Sequence, residues 1–587
     1  MPVLDYFHNN QTKENLMGKK LWVLSNGAPA NVEKELIEKF SFPRPIAVYL
    51  AARGVTPDNV EYFLKPSLAK LSDPYRFPGI EKAAERLWAA IRNKELILIH
   101  GDYDTDGITA TALLAYVLRK NGAEVWSFIP HRFDDGYGFT PESLDKAIAE
   151  LPRQCGVLIT VDCGITSIDA VKSANAKGID VIITDHHEPG EELPQALATI
   201  NPKLYSDLED LHLLSGAGTA FKLSHAFVKY GREQNMGGFT TNLQDVLDYV
   251  ALGTIADIVP LLGENRIMVK HGIELLKKQL RPGIRALIET AKIRTGLKPS
   301  DITFKLAPRI NAAGRLGDAT TALRLLEADN IVEAYRYSAM LEEYNCQRQE
   351  KEQEIYLEAH AQIEENIDIA NRYSILVAGK NWHQGVIGIV ASRLARDYNR
   401  PAIVLTIMDG EAHGSGRSIG SLNLVKVLAG TSSLLTRFGG HPMAVGLGLE
   451  EKNIVPFSEA LEKSVRQELT ADDLKETTEY DGHAEFSELD NNFFKYLEML
   501  HPFGHRNSKP VYLFSGVRVV KCSAIGQKHC RGLLVDKYSQ AMEFIAFNSD
   551  PNEIRNAVLD ILATPQINDY YPDKKPQLQI VDYRMSF

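Results

Sequence analysis

Residues 96–114 read LILIHGDYDTDGITATALL, and this stretch decides the fold. An apolar β-type run, residues 96–99, feeds an acidic turn in which Asp102, Asp104 and Asp106 alternate with Tyr103 and Thr105. Gly107 closes the turn, and small and apolar residues continue in a helical pattern. Three carboxylates this close repel one another, so some stay protonated unless cations or hydrogen-bond donors compensate. Divalent cations that prefer oxygen ligands are the simplest compensation. Capping the helix accounts for one Asp and leaves two unexplained. The string also fits the first six positions of a calcium EF-hand loop. Leu113, however, stands at the twelfth position, where that loop needs a bidentate Glu, and the turn follows a strand-like run rather than a helix.

The same unit repeats downstream. Residues 125–130, 157–162 (VLITVD) and 181–184 (VIIT) read as strands, with helices over 141–150 and 166–177 between them. Continuous Val/Ile/Leu runs alternating with helices predict a mostly parallel sheet covered on both faces. The strand ends carry the chemistry: the acidic turn after LILIH, Asp162 after VLITV, and Asp185, His186 and His187 after VIIT. Ligands of open parallel sheets bind outside the carboxyl ends of the strands, so these side chains are expected to converge. Asp257, after the helical pattern in LDYVALGTIADIVPL, adds a further acid.

With 587 residues, three or four domains are expected. No uncharged apolar run approaches the ~18 residues of a membrane span. The opening MPVLDYFHNNQTKEN has no basic region followed by an apolar stretch, so neither secretion nor membrane attachment is expected, and the expected location is the cytoplasm. Cys155, Cys163, Cys346, Cys522 and Cys530 are scattered, which argues against a zinc site or a disulfide framework and for a reducing compartment. The net charge of −11 counts against nucleic acid for the whole chain, but the footprint that matters is local. Residues 501–540 carry Arg506, Lys509, Arg518, Lys521, Lys528, Arg531 and Lys537 against Asp536 alone.

Residues 1–90 read as an irregular, partly helical lead-in, punctuated by Pro57, Pro66, Pro74 and Pro78 and expected to pack on the α/β domain over 91–318. Within LAPRINAAGRLGD (306–318), Arg309, Asn311 and Arg315 sit among small residues, as in a close-packed loop that reaches a phosphate; an interdomain ion pair is the alternative. Residues 319–370 are a long helical stretch whose second half is charged and free of Gly and Pro, as in a helix bridging two domains. A second α/β unit over 371–470 contains HGSGRS and FGGHPMAVG. Glycines there let backbone N–H groups approach an anion, and Ser415 and Arg417 add donors, with glycine kinks in strands as the alternative. Residues 471–587 hold short β-type runs that fit a small barrel. Its cations and the rings of Tyr512, Phe514, Tyr538, Phe544 and Phe547 suit single-stranded nucleic acid, unless the rings are core.

GDYDTDG, VDCG, TDHH and GTIAD, in this order, resemble the four-motif set of the DHH phosphoesterase superfamily. The long helix, GSGRS and GGHPMAVG are similar to that family's second domain, DHHA1. PHRFDDGYGF, APRINAAGRLGDA and the barrel narrow the resemblance to the branch of bacterial single-strand-specific DNA exonucleases, from about residue 40 onward. It implies an α/β protein: a parallel-sheet DHH domain, a long helix, a second α/β domain and a C-terminal OB-like β-barrel. It further implies a phosphodiesterase using two Mn²⁺ or Mg²⁺ ions. Mapped motif by motif, Asp104 and Asp162 would hold one ion, and Asp106, Asp162, His186 and Asp257 the other. Asp102 would be a further ligand or supporting acid, and His187 an electrophilic or leaving-group partner at the scissile phosphate. His100 lies where the superfamily's pyrophosphatases place a metal-binding His.

On the substrate side, the resemblance puts Arg132, Arg315, Ser415 and Arg417 around the 5′-terminal phosphate, with Arg309, Asn311 and His441 beside them. It implies a monomer that releases 5′-mononucleotides from single-stranded DNA in repair and recombination. A single-stranded-DNA-binding protein and a RecQ-type helicase are the expected partners. A phosphodiesterase of short oligonucleotides or cyclic dinucleotides from the same superfamily is a rival, disfavoured by the length and the basic tail. A non-catalytic replication scaffold is another, and it would have lost ligands that are all present here.

Overall fold

The computed structural model describes residues 20–25, 29–132, 135–136, 138–294, 296–526, 529–568 and 575–586. Phe133, Asp134 and Tyr137 of PHRFDDGYGF, and Lys528 of the basic run, lie outside the described residues. The chain forms two compact units, one of residues 66–470 with 502–507, the other of the remaining described residues.

The first unit is built on a five-stranded sheet ordered Glu124–Phe128, Leu96–Gly101, Cys155–Val161, Asp180–Thr184, Ala198–Ile200, with every pairing parallel. Alternate residues serve opposite faces, as the strand period of two requires. Ile97, Ile99, Val157, Ile159 and Ile182 join a core with helices that include Ile80–Arg92, Thr105–Lys120 and Gly216–Glu233. Leu96, Leu98, Leu158, Val181 and Ile183 pack on the other side against Leu144 and Ala147 of Pro141–Ala149 and Ala170 and Ala174 of Ile168–Ala176. Both layers are apolar, which is why the strands read as unbroken hydrophobic runs. The chain passes from Leu96–Gly101 to one neighbour and then crosses back to the other, Cys155–Val161. The switch point of the topology therefore lies between those two strands, where a ligand crevice opens in such sheets.

The helical stretch expected after residue 319 breaks into Thr320–Glu327 and Ile331–Asn366. The second is about 54 Å long at 1.5 Å per residue. It buries Ala334, Ser338, Leu341 and Asn345 at its first end and Ile355, Tyr356, Ala359 and Ile363 at its second, with none between. Both sets recur at helical spacing, so the two ends serve two cores, as a bridging helix must. At the second end Tyr356 donates to Asp397, and Trp382 donates to Glu358. The sheet served there runs Arg437–His441, Ala444–Glu450, Glu411–Arg417, Ala402–Met408, Ile375–Lys380, and only the last two strands pair in parallel. HGSGRS and FGGHPMAVG lie mainly in these strands, not in loops.

In the other unit the strand Tyr512–Ile525 pairs with both His529–Val535 and Val558–Asn568, which closes the sheet into a barrel. Tyr512, Phe514 and Phe544 are fully buried core residues, so of the five rings only Tyr538 and Phe547 are exposed. Arg518, Lys521 and Arg531 stand on the barrel's exposed positions, and Lys537 is 3.3 Å from Glu485. The basic run is divided between the two units, because Arg506 belongs to the segment 502–507 of the first unit. The lead-in also divides. Residues 66–90 join the catalytic sheet's unit, but residues 20–65 belong with the barrel. Leu21–Leu24 pairs in parallel with Thr477–Tyr480, the Tyr49 hydroxyl donates to the Ser508 carbonyl, and Arg53 pairs with Asp481 at 2.6 Å. These partners lie hundreds of residues away in sequence, beyond the reach of a local pattern.

Candidate metal centre and adjoining arginine pocket

The acidic turn is held from three directions. Asp104 caps the helix Thr105–Lys120, its Oδ1 accepting from the N–H groups of Asp106 and Gly107. Thr105 donates through its N–H and its hydroxyl, each at 2.8 Å, to the Asn311 side-chain oxygen. Asp106 accepts from the N–H groups of Gly216 at 2.6 Å and Ala217 at 3.0 Å, the first residues of Gly216–Glu233. A helix N-terminus stabilises a carboxylate by its dipole and its unpaired donors. Asp162, at the end of the neighbouring strand, has a φ of +62°. That left-handed conformation is uncommon outside glycine but tolerated by Asp, and such strain gathers at functional sites. Two glycines leave room for the carboxylates. A Cβ at Gly216 would lie 2.4 Å from Asp162 Oδ1, and one at Gly253 would lie 2.4 Å from Asp106 Oδ1.

Three overlapping donor sets result. Ligand atoms of Asp102, Asp104 and Asp162 lie within 4.8 Å of one another, and so do those of Asp106, His186 and Asp257, and those of Asp162, His186 and His187. His186 Nε2 joins the sets, 3.1 Å from Asp162 and 3.6 Å from Asp257. Among the described residues Asp102 Oδ1, Asp162 Oδ1 and His186 Nε2 are buried and make no hydrogen bond of proper geometry, the close approach of His186 to Asp162 included. Buried polar atoms are ordinarily paired, and a donor set of carboxylates and imidazole aimed at common points fits divalent cations. Burial, with the charge of Asp104, pushes Asp102 and Asp106 up to about 7; burial, with Asp106 and Asp104, pushes Asp257 up to about 8. Asp162 rises too, by burial and then by the charges of Asp106, Asp104 and Asp257. Burial and His187 push His186 down to about 3.

Asp185 has a different task. Its Oδ1 accepts from the N–H groups of His186 and His187 and lies 2.7 Å from His187 Nδ1, while Oδ2 accepts from Ile165 N–H. Burial opposes an imidazolium at His187, but the hydrogen bond and charge of Asp185, aided by Asp257 and Asp102, outweigh it and raise His187 to about 9. Asn201 fixes the backbone here by donating to the His187 carbonyl. His100 is not in any of the donor sets; its Nε2 is 3.0 Å from Ser143 Oγ, its ring packs against Phe128 and Phe139, and burial lowers it to about 4.

These shifts fix the pH dependence of the metal-free protein. Unfolded, the carboxyls titrate at about 4 and His187 at about 6.5. Folded, the values are about 7 for Asp102 and Asp106, about 8 for Asp257 and about 9 for His187. The folded state therefore holds more protons between these limits, and stability is lost as pH rises through the folded values. His100 and His186 pull the opposite way only below about 6.5, where the unfolded rings begin to protonate. From about pH 6.5 to 9 the melting temperature in EDTA should fall. The gain on adding Mn²⁺ should grow over the same range, because ligands must shed protons to bind. Scanning calorimetry in EDTA and in Mn²⁺ checks both trends, and a gain that does not change with pH contradicts them.

Beside the acidic turn lies a cavity of about 460 Å³ lined by Arg132, Arg315, Ser415 and Arg417 and, among the described residues, by no acid. The Arg132 guanidinium stands 5.1 Å from the ring centroid of Tyr103, between Asp102 and Asp104 in the chain. Arg315 donates to the Gly385 carbonyl at 3.0 Å, and Arg417 to Ser415 Oγ at 3.1 Å. Burial, then Arg132, Arg348 and Arg417, lowers Arg315 to about 10, and Arg417 is lowered by burial and Arg132. Cations crowded in this way with no carboxylate among them call for an anionic ligand.

Three expected substrate residues do not line this cavity. Arg309 lies bidentate against Glu342 of the long helix, at 2.5 and 3.2 Å, the ion pair that was the alternative to a phosphate contact. Asn311 spends its oxygen on Thr105 and positions the acidic turn. His441 lies at the exposed end of Arg437–His441 and does not line the cavity. The segment 307–316 is a helix, Ala307–Leu316, not a loop. Sequence reasoning missed Gly216, although Ser215, a helix cap followed by small residues, was a legible sign of an anion-binding helix start.

Three family models match the chain: the DHH family N-terminal domain over residues 96–254, the DHHA1 domain over 371–467, and the RecJ OB domain over 480–582. The chain is 35% identical to the single-stranded-DNA-specific exonuclease RecJ of Bacillus subtilis, over 97% of this chain and 72% of that one. It is 38% identical to the Escherichia coli exonuclease of the same name, over 85% of this chain and 88% of that one. Among solved structures it is similar to RecJ from Thermus thermophilus in complex with Mn²⁺, with a TM-score of 0.81 and 28% identity over 97% of this chain and 80% of that one.

Proposed function

Because the chain belongs to the RecJ family of single-stranded-DNA-specific exonucleases, we propose that it removes 5′-mononucleotides from the 5′ end of single-stranded DNA by cation-dependent phosphodiester hydrolysis. The observation that carries this reading is the arginine cavity, which meets the acidic turn of the donor sets where Arg132 stands over Tyr103. In this reading Asp102, Asp104 and Asp162 hold one Mn²⁺ or Mg²⁺ ion, and Asp106, His186 and Asp257 the other, with Asp162 shared. Bound there, two such ions supply a water nucleophile at neutral pH and charge stabilisation at the attacked phosphorus.

The chain's own residues do the rest. Arg132, Arg315, Arg417 and Ser415 hold the 5′-terminal phosphate, which leaves the next phosphate at the donor sets. Hydrolysis breaks the bond from that phosphorus to the 3′ oxygen of the terminal nucleotide. His187, protonated and braced by Asp185, gives its proton to that leaving oxygen. The shortened strand again ends in a 5′ phosphate, so one pocket serves every cycle. The same reading places the enzyme in the cytoplasm, in DNA repair and recombination, as a monomer working with a single-stranded-DNA-binding protein and a RecQ-type helicase. The family resemblance supports that assignment.

Arg417→Ala tests the end pocket. Charge-assisted contacts to one phosphate contribute roughly 1.5–3 kcal/mol, so kcat/KM on 5′-phosphorylated strands should fall by about 10- to 100-fold. The loss on 5′-hydroxyl strands should be much smaller. Equal losses on both would make Arg417 a structural residue.

A further inference from the structure

Phe304 is 76% exposed, at the top of the range for large apolar side chains among the described residues. Single exposed hydrophobics are ordinary, but three features set this one apart. It lies in a π-helical turn, Ile302–Leu306, and such turns mark functional sites more often than plain helix does. That turn runs without a break into Ala307–Leu316, the helix that lies along the acidic turn. There the Thr105 hydroxyl donates to the Ala307 carbonyl as well as to Asn311, and Gly314 lies against the Tyr103 backbone.

Phe304, Pro308, Asn311 and Arg315 follow one another at spacings of four, three and four residues, which places them along one stripe of the helix. Arg315 ends the stripe in the arginine cavity, Asn311 marks the acidic turn, and Phe304 is the opposite end, out in solvent. At 1.5 Å per residue the stripe is about 16 Å long, roughly the span of two or three extended nucleotides. The charges on this flank are already spent. Lys305 is 2.8 Å from Asp301, and Arg309 is bidentate on Glu342. The flank therefore offers the sugar-phosphate backbone little free charge, and what it offers is a ring face.

We propose that Phe304 is a stacking platform for a base of single-stranded DNA two or three nucleotides to the 3′ side of the terminal phosphate, set there by the same helix that holds the acidic turn and the end pocket. This rests on the exonuclease reading above. Every base has a π-face, so the contact selects unpaired strand and not sequence. A base locked in a duplex cannot reach the ring, which makes Phe304 a determinant of single-strand selectivity.

The test is a cycle between Phe304→Ala and an abasic site walked along a 5′-phosphorylated 20-nucleotide strand in Mn²⁺. Wild type should lose about tenfold in KM, at nearly constant kcat, when the abasic site occupies the third or fourth nucleotide. Phe304→Ala should show the same loss on the intact strand and no further loss from the abasic site at that position. On a 5′-phosphorylated dinucleotide the variant should match wild type, and Phe304→Trp should restore the intact-strand KM. A Mn²⁺-dependent melting shift equal to wild type establishes that the variant is folded and loaded. Additive losses at every position, or an equal loss on the dinucleotide, would overturn the proposal. Wild-type protein that leaves the 20-nucleotide strand undegraded would instead overturn the exonuclease reading itself.

Discussion

Asp162→Asn should lose at least about 10³-fold in turnover on single-stranded DNA, because it alone belongs to both proposed cation sites. A loss of that size is about 4 kcal/mol of transition-state stabilisation, within what correctly placed cations supply. The same variant should lose most of the Mn²⁺-dependent rise in melting temperature. In EDTA at pH 8 it should melt higher than wild type, not lower. The substitution keeps the side chain's shape against Gly216, where even one added carbon would meet Asp162 at 2.4 Å. It also removes a carboxyl that burial and the charges of Asp106, Asp104 and Asp257 hold against ionisation, and with it the cost of keeping that group in the metal-free site. Lower activity with a higher metal-free melting point is a pair of results that general misfolding does not give. Gly216→Ala should also lose activity, with no gain in EDTA, since it crowds the carboxylate without discharging it.

His187→Ala should cost about 10²- to 10⁴-fold in kcat, the usual range for one proton-transfer group, with the Mn²⁺ melting shift retained. His187 keeps its Nδ1 on Asp185, leaving the second ring nitrogen to the substrate, and the ring is part-exposed at the mouth of the donor sets. Asp185→Asn should reproduce a large part of the loss by removing the hydrogen bond and charge that raise the His187 pKa. The alkaline limb of the pH–rate profile would then move to lower pH, a shift that loss of packing alone would not produce. Retained kcat in His187→Ala would remove the proton-donor role and leave the ring as a spectator.

The catalytic sheet was legible because its signals are local. Its three central strands, Leu96–Gly101, Cys155–Val161 and Asp180–Thr184, are apolar runs buried on both faces and are followed by Asp or His, so both the fold and the convergence follow from period and position. The donor sets were legible for the same reason, down to Asp162 and His186. What could not be read depended on distant partners. Arg309 and Arg315 share one helix and similar neighbours, yet one faces Glu342 and the other the arginine cavity. Only the placement of the long helix decides between them.

The N-terminal segment divides near Lys65 because residues 21–24 pair with 477–480, a parallel register that no local pattern signals. The strand Val558–Asn568 went unread in the barrel, where Pro565 argues against a strand although it sits opposite Leu578. Aromatic alternation in the barrel was ambiguous by nature. Stacking platforms and core share the same spacing, and burial assigns Tyr512, Phe514 and Phe544 to the core.

The most direct test is a digest of one single-stranded oligonucleotide, labelled in separate samples at its 5′ and 3′ ends, with Mn²⁺ present. The 5′ label should appear at once as a mononucleotide, while the 3′ label shortens as a ladder one nucleotide at a time and a blunt duplex of the same sequence stays intact. A 3′ label released first, or internal fragments from either sample, would contradict an end pocket at Arg132, Arg315 and Arg417 that feeds the next phosphate to the donor sets.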